Sequence, residues 1–366
     1  MGVIYYLYPM RKAVSFRFIA EQHIRYLKNK LLNNTKIVEG DVDTFDPTAW
    51  GLKRKLIIHP LFYPFFDGVS PTAKVKLGKL NQCLNKGYDI IAFDTADSDR
   101  ISEKAVDLAN KVTAIVVPSN FAKWVFEKSG VTIPLHVVPH GIPDEFMVDE
   151  RTITHPCLAK LKEIKEKKDF TFVLFQLVHS GARKGADLFA KAMSIVQKEN
   201  PNIIILAKRL EGLDPHLPLL RQLRCIEIGR YLDLDSYRQL YDLSDITVLA
   251  SRGGGFEHHG LESLARGVPT IVPNAGCFLD YIKYAIPVKV TNNKPVVLPD
   301  NPIHVGRGWE IDVNELAKTI LKVADNLTKY KRKARRNMKK IWKEYSWSRI
   351  ADEIINILTE YNFIRN

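Results

Sequence analysis

The stretch from Asp245 to Gly276, DITVLASRGGGFEHHGLESLARGVPTIVPNAG, restricts what this chain can fold into more than any other. Its apolar opening, closed by Ser251, predicts a buried strand, and Arg252 to Gly260 is a glycine-rich turn that lets backbone N–H groups approach a ligand. Leu261 to Arg266 then predicts a helix stopped by Gly267, with Pro269 preventing continuation before a second strand at Thr270–Val272. Strand, open loop and helix start in that order form an anion site, because unpaired N–H groups and the positive end of the helix dipole face whatever sits above the sheet. Glu262, expected in the first helical turn, is a carboxylate able to accept hydrogen bonds from vicinal hydroxyls such as those of a ribose. The pattern calls for a ligand that carries both phosphate and hydroxyls.

The rest of the chain supplies a frame for such a site. Strand-like runs alternate with helical ones: Val3–Tyr8, Lys36–Val38, Leu56–His59, Asp89–Phe93 and Thr113–Pro118, then Phe170–Leu177, Asn202–Ala207 and Cys225–Ile228. Such alternation implies parallel sheets covered on both faces, and its repetition over 366 residues implies two α/β domains. Val148–Lys168, with Pro156 and the charged run Lys160–Asp169, is expected to link them. The domains are set at 1–150 with 350–366, and at 165–345. Helices are expected over 311–327 and 334–361.

Composition excludes several function classes. No stretch approaches the ~20 apolar residues of a membrane span, and no small-residue cleavage site follows the short aromatic start, so a cytoplasmic protein is expected. Cys83, Cys157, Cys225 and Cys277 lack the paired spacing of a zinc site or a disulfide framework. A net charge of +13 suggests an acidic partner, and KYKRKARRNMKKIWK (329–343) is its densest source. That run fits a solvated helix with a lysine-rich exterior, or a peripheral contact with an anionic membrane. No recognised nucleic-acid module accompanies it.

Two further loops carry candidates. After the strand at 89–93, Asp94, Asp97 and Asp99 fall where the loops of an open parallel sheet line a ligand crevice, or where one of them caps the next helix. In Arg183-Lys-Gly-Ala-Asp187, a lysine beside a glycine at a helix start offers a point charge and free N–H groups to a diphosphate. Arg11 and Lys12, at the end of the first strand, are basic residues at a loop tip.

The stretch 250–276 resembles the signature loop of glycosyltransferase family 4, retaining enzymes of the GT-B fold that take sugar from a nucleotide sugar. In that family two acids separated by seven residues flank a Gly-Phe pair. The second acid matches Glu262, the pair matches Gly255-Phe256, and Leu-Glu-Ser-Leu-Ala-Arg-Gly-Val-Pro follows in register; the first acid falls on Gly254, and Glu257 is the substitute at hand. VVPSNFAKWVF and VVPHGIPDEF also resemble the end of the family's first domain, and 346–361 its returning C-terminal helix.

The resemblance implies two Rossmann-like domains facing across a cleft, with that last helix crossing back to the first domain. It implies a catalytic set of Lys184, Glu257 and Asp97, with Lys184 on the departing phosphate. Donor binding falls to Arg183, Lys184, Gly229, Arg230, Gly255, Phe256, His258, Gly260, Leu261 and Glu262. The arginine usual six residues before the lysine is Val178 here, and Arg183, His179 or Lys208 are its replacements. The implied reaction is transfer from a UDP- or GDP-linked sugar, with retention and without metal or other cofactor, to a glycan, lipid or protein. The alternatives are a non-catalytic nucleotide-sugar-binding protein and a sugar phosphorylase on the same fold.

Overall fold

The structure, a computed structural model, describes residues 2–12, 14–31, 35–177, 180–209, 214–229 and 231–364. It divides into two compact units, the first formed by Met1–Gly141, Leu298–Gly306 and Trp347–Asn366, the second by Ile142–Val297 and Arg307–Ser346.

Unit 1 is built on β1 (Gly2–Tyr8), β2 (Thr35–Asp41), β3 (Lys55–Ile58), β4 (Asp89–Phe93), β5 (Ala114–Val117) and β6 (Leu135–Val137). They form one parallel sheet in the order β2-β1-β3-β4-β5-β6. Its central strands read as unbroken apolar runs because both faces are covered. On one face the helices Ser15–Lys30 and Trp347–Glu360 bury Ile24, Leu27, Ile350 and Ile354 against Ile4, Ile57 and Ile91. On the other, Ala73–Asn85 and Asn120–Ser129 bury Leu80, Val125 and Phe126 against Leu56, Ile90 and Ile115. The Ser119 hydroxyl accepts from the Ala122 N–H at 3.1 Å and starts the helix that Gly130 ends at φ 109°.

Unit 2 holds β7 (Thr171–Leu177), β8 (Ile203–Arg209), β9 (Cys225–Ile228), β10 (Ile246–Val248), β11 (Thr270–Pro273) and β12 (Ile286–Val288), all parallel, in the order β12-β11-β10-β7-β8-β9. From β7 the sheet grows one way through β8 and β9, and from β10 the other way through β11 and β12. The winding therefore reverses between β7 and β10, and the crevice outside the carboxyl ends of two such strands is where an open α/β sheet takes its ligand.

Three expectations are corrected. The charged stretch expected to be a linker is mostly a helix of unit 2, Pro156–Lys168, because Leu158 is buried and the Lys165 ammonium reaches Asp245 at 2.7 Å. Leu298–Gly306 belongs to unit 1, where the Ser102 N–H donates to Ile303 O at 2.9 Å and Ile303 enters the core. The single helix expected over 334–361 is two, Leu327–Tyr345 and Trp347–Glu360, broken at Ser346 (ψ 140°) where the chain passes between units. Among the described residues no helix is long and apolar enough to cross a membrane.

Candidate functional site

The loops that leave β7 and β10 meet over the reversal point. β7 is followed by a helical turn, Gly181–Lys184, and by Gly185, which adopts φ 69° ahead of the helix Ala186–Glu199. A Cβ on Gly185 would lie 2.0 Å from the Ala250 carbonyl oxygen, so only glycine lets the two loops approach this closely. The Arg252 N–H donates to Arg183 O at 2.7 Å, and its guanidinium is bidentate on Asp187 (2.7 and 2.8 Å) and reaches Glu310 at 2.8 Å. Sequence reasoning missed Arg252 as the clamp, because its partners lie 65 and 58 residues away.

Inside this junction Lys184 Nζ donates to both oxygens of Glu257, at 2.8 and 2.7 Å. Arg183 Nη1 adds a contact at 3.2 Å to Oε1 and donates to Gly253 O at 2.9 Å. Only 2% of the Glu257 side chain is exposed. Burial pushes this carboxyl upward, but Lys184 and Arg183 outweigh it and hold it below the usual carboxylate range. Its backbone is left-handed (φ 57°, ψ 62°), a conformation costing about 1–3 kcal/mol for a residue with a side chain, and the Tyr281 hydroxyl fixes it by donating to Glu257 O at 3.0 Å.

Gly254 explains itself against this carboxylate: a Cβ there would fall 2.3 Å from Glu257 Oε1. Position 254 has no side chain because the acid three residues later fills its space. A cavity of about 10 Å³, room for one water, adjoins Lys184, Glu257, Gln176 and His259.

The helix after the loop begins earlier than its apolar pattern indicates. It spans His258–Ala265, so Glu262 stands in its second turn and not its first. The Tyr241 hydroxyl donates to Glu262 Oε2 at 2.7 Å, His258 Nε2 lies 3.2 Å from Oε1, and His259 Nδ1 lies 3.6 Å from Oε2. Burial raises this carboxyl too, and the two histidines more than reverse it, leaving it far below the ordinary range. Gly255, Phe256, Gly260 and Leu261 are buried, with Phe256 edge-on to Tyr281 at 6.0 Å and Gly260 against the Tyr281 hydroxyl.

The loops thus bring together Arg183, Lys184 and Glu257, and the helix adds His258 and Glu262. Gly229 lies at the end of β9, where a Cβ would come 2.8 Å from the Arg209 guanidinium, itself paired with Glu227 at 3.0 Å. Arg230, Val178 and His179 lie outside the described residues. Lys208 is buried, with its ammonium on Arg209 O at 2.9 Å.

In unit 1, Asp97 follows β4, its N–H donating to His304 Nδ1 at 3.4 Å. Asp94 is structural, accepting from the Phe62 N–H at 2.6 Å and the Thr95 N–H at 2.7 Å; neither it nor Asp97 caps the helix Glu103–Ala109, which Ser102 starts. Asp99 packs against Gly306. Arg11 and Lys12 face Asp41 and Asp43, at 3.4 and 2.8 Å.

Two parallel six-stranded sheets, one carrying a cation–acid junction at its winding reversal, give the chain the GT-B fold, and the comparison with solved structures agrees. The solved structure of Anabaena Alr3699/HepE, in complex with UDP and glucose, matches 98% of this chain and 100% of its own at a TM-score of 0.69 and 13% identity. Residues 147–354 match the model of family 4 glycosyltransferases in conflict systems, and the chain belongs to this family. An uncharacterised protein of Sulfolobus islandicus rod-shaped virus 1 is 28% identical over 98% of this chain and 99% of its own. A protein of Sulfolobus islandicus filamentous virus that carries a provisional glycosyltransferase name is 29% identical over 73% of each.

Proposed function

We propose that this glycosyltransferase moves a sugar from a UDP- or GDP-linked donor to its acceptor, with retention and without a metal ion. The observation that carries the reading is the buried Lys184–Glu257–Arg183 junction at the carboxyl ends of β7 and β10, where an open sheet receives a phosphate-bearing ligand. Lys184, with Arg183 beside it, neutralises the charge that develops on the departing diphosphate, an electrostatic role that a fixed ammonium performs without a metal. Glu262 accepts from the ribose hydroxyls, and Gly229 serves the base, a role also assigned to Arg230 from the sequence alone. Glu257 supplies the carboxylate directed at the transferred sugar that position 254 lacks. The Gly255–Leu261 loop shapes the donor site, and Asp97 of unit 1 serves the acceptor hydroxyl.

The bound UDP of the Anabaena protein, whose fold this chain shares, supports a nucleotide-linked donor. Arg332, Arg335 and Arg336 form a basic stripe on the exposed side of the helix Leu327–Tyr345, suited to an anionic membrane surface, which cosedimentation with anionic vesicles tests.

Calorimetric titration with UDP and GDP, followed by donor turnover, tests the reading. Nucleoside diphosphate binding with transfer supports it. Binding without turnover over glycan, lipid and protein acceptors would make the chain a nucleotide-sugar-binding protein, and phosphorolysis with inorganic phosphate would make it a phosphorylase.

A further inference from the structure

Glu262 is held by a line of buried polar side chains that the reaction itself does not account for. Tyr241, on the helix Leu234–Leu243, has no exposed surface and donates its hydroxyl to Glu262 Oε2 at 2.7 Å. Gln176, near the end of β7, donates from Nε2 to the Tyr241 oxygen at 2.7 Å, and its own Oε1 accepts from the Tyr237 hydroxyl.

The line has one direction. Because Tyr237 donates to Gln176, the amide oxygen is fixed toward Tyr237 and the amide N–H₂ toward Tyr241. Because that amide donates into the Tyr241 oxygen, the phenolic proton leaves on the other side, toward Glu262 Oε2 at 2.7 Å, the shorter and charged acceptor, with His259 O farther off at 3.3 Å. Burying Gln176 and Tyr241, with the half-buried Tyr237 behind them, is costly unless each polar group finds its partner, and each does. The carboxylate at the end therefore sits in one orientation, with Tyr241 on one oxygen and His258 beside the other.

We propose that Tyr241, oriented by Gln176, is a positioning residue that fixes Glu262 to accept both hydroxyls of the donor ribose, and so sets the preference for ribonucleotide over 2′-deoxyribonucleotide donors. The proposal rests on the reading of Glu262 as the ribose acceptor. A glutamate has three rotatable side-chain bonds, and two vicinal hydroxyls are accepted together only when the plane of its carboxylate is set beforehand. Tyr241 also packs edge-on to Phe146 at 5.8 Å, a contact that phenylalanine keeps. The hydroxyl alone is thus open to test.

Affinities of UDP and 2′-deoxy-UDP, with GDP and 2′-deoxy-GDP if the base is guanine, are measured on the full chain and on Tyr241→Phe, Gln176→Leu and Glu262→Gln. The wild type is expected to favour the ribonucleotide about tenfold or more, the size of a hydrogen bond to a charged acceptor. Tyr241→Phe is expected to narrow the ratio to about threefold or less, by weakening the ribonucleotide more than the deoxynucleotide, which offers Glu262 only one of the two hydroxyls. Gln176→Leu should do the same and decides the matter if Tyr241→Phe fails to fold. A wild type that binds both sugars alike overturns the ribose reading and the proposal with it. A preference abolished in Glu262→Gln but intact in Tyr241→Phe and Gln176→Leu overturns the positioning role alone.

Discussion

Each unit buries carboxylates near the carboxyl ends of a parallel sheet, and the two units answer them differently. In unit 1, Asp94 is met by backbone N–H groups of Thr95, Phe62 and Leu61; burial dominates, Asp97 adds to it, and the carboxyl is pushed up to about 7. In unit 2, Glu257 is met by Lys184 and Arg183 and Glu262 by two histidines, and both are held below the usual range despite burial. Neutral donors leave burial dominant at Asp94, whereas the cations that face Glu257 across two loops outweigh its burial. Carboxyls shifted by specific charged partners are the kind expected at a ligand site, the role proposed for Glu257 and Glu262, whereas Asp94 is held by backbone donors of its own loop.

The contrast breaks most visibly at Lys184. Lys184→Ala is expected to lower kcat/KM for the nucleotide sugar about 10²–10³-fold, and to cost about 3 kcal/mol of stability because it leaves Glu257 buried with Arg183 alone. Steady-state kinetics and urea denaturation read both. Glu257→Gln is expected to reduce transfer at least about tenfold, within the usual range for loss of a positioned catalytic group; an unchanged rate would remove Glu257 from the chemistry. Gly254→Ala forces the Glu257 carboxylate to move and should destabilise by about 1–3 kcal/mol, with a matching loss of donor affinity by calorimetry.

The pH dependence sharpens the same contrast, because the signs are opposite. Glu257 and Glu262, depressed in the folded chain, contribute stability that is fully present above their unfolded value of ~4.3 and is lost as pH falls through their folded values. Asp94, raised, contributes stability fully present below its unfolded value of ~3.9 and lost as pH rises through about 7. Denaturation curves from pH 3 to 8 should show Asp94→Asn removing a decline between pH 4 and 7, and Glu257→Gln removing part of the decline on the acid side. The smallest effect is expected at Lys12, exposed and paired with Asp43 at 2.8 Å: Lys12→Ala should change stability by less than about 0.5 kcal/mol.

What was legible in the chain was what is local. The alternating runs exposed both parallel sheets, and the glycine loop with its Leu-Glu-Ser-Leu-Ala tail exposed the family, because strand, turn and helix signals each span only a few residues. The same loop held the departure at Gly254, visible as a missing acid with another, Glu257, three residues on. What close approach decides was not legible. His258 and His259 extend the helix ahead of its apolar stripe, Arg252 finds Asp187 and Glu310 through the fold, and Leu298–Gly306 changes unit through backbone bonds to Ser102 and its surroundings. Tyr241 and Gln176 read as ordinary core residues until the hydrogen bonds to Glu262 are seen.

The backbone changes unit four times, at 141/142, 297/298, 306/307 and 346/347. No single cut can therefore yield two intact halves. A fragment ending at residue 141 would lack the helix Trp347–Glu360, leaving Ile4, Ile24, Leu27 and Ile57 open to water on one side of its sheet. Such a surface invites aggregation, and the unit that begins at β1 becomes a finished object only once Trp347–Glu360 has also been synthesised.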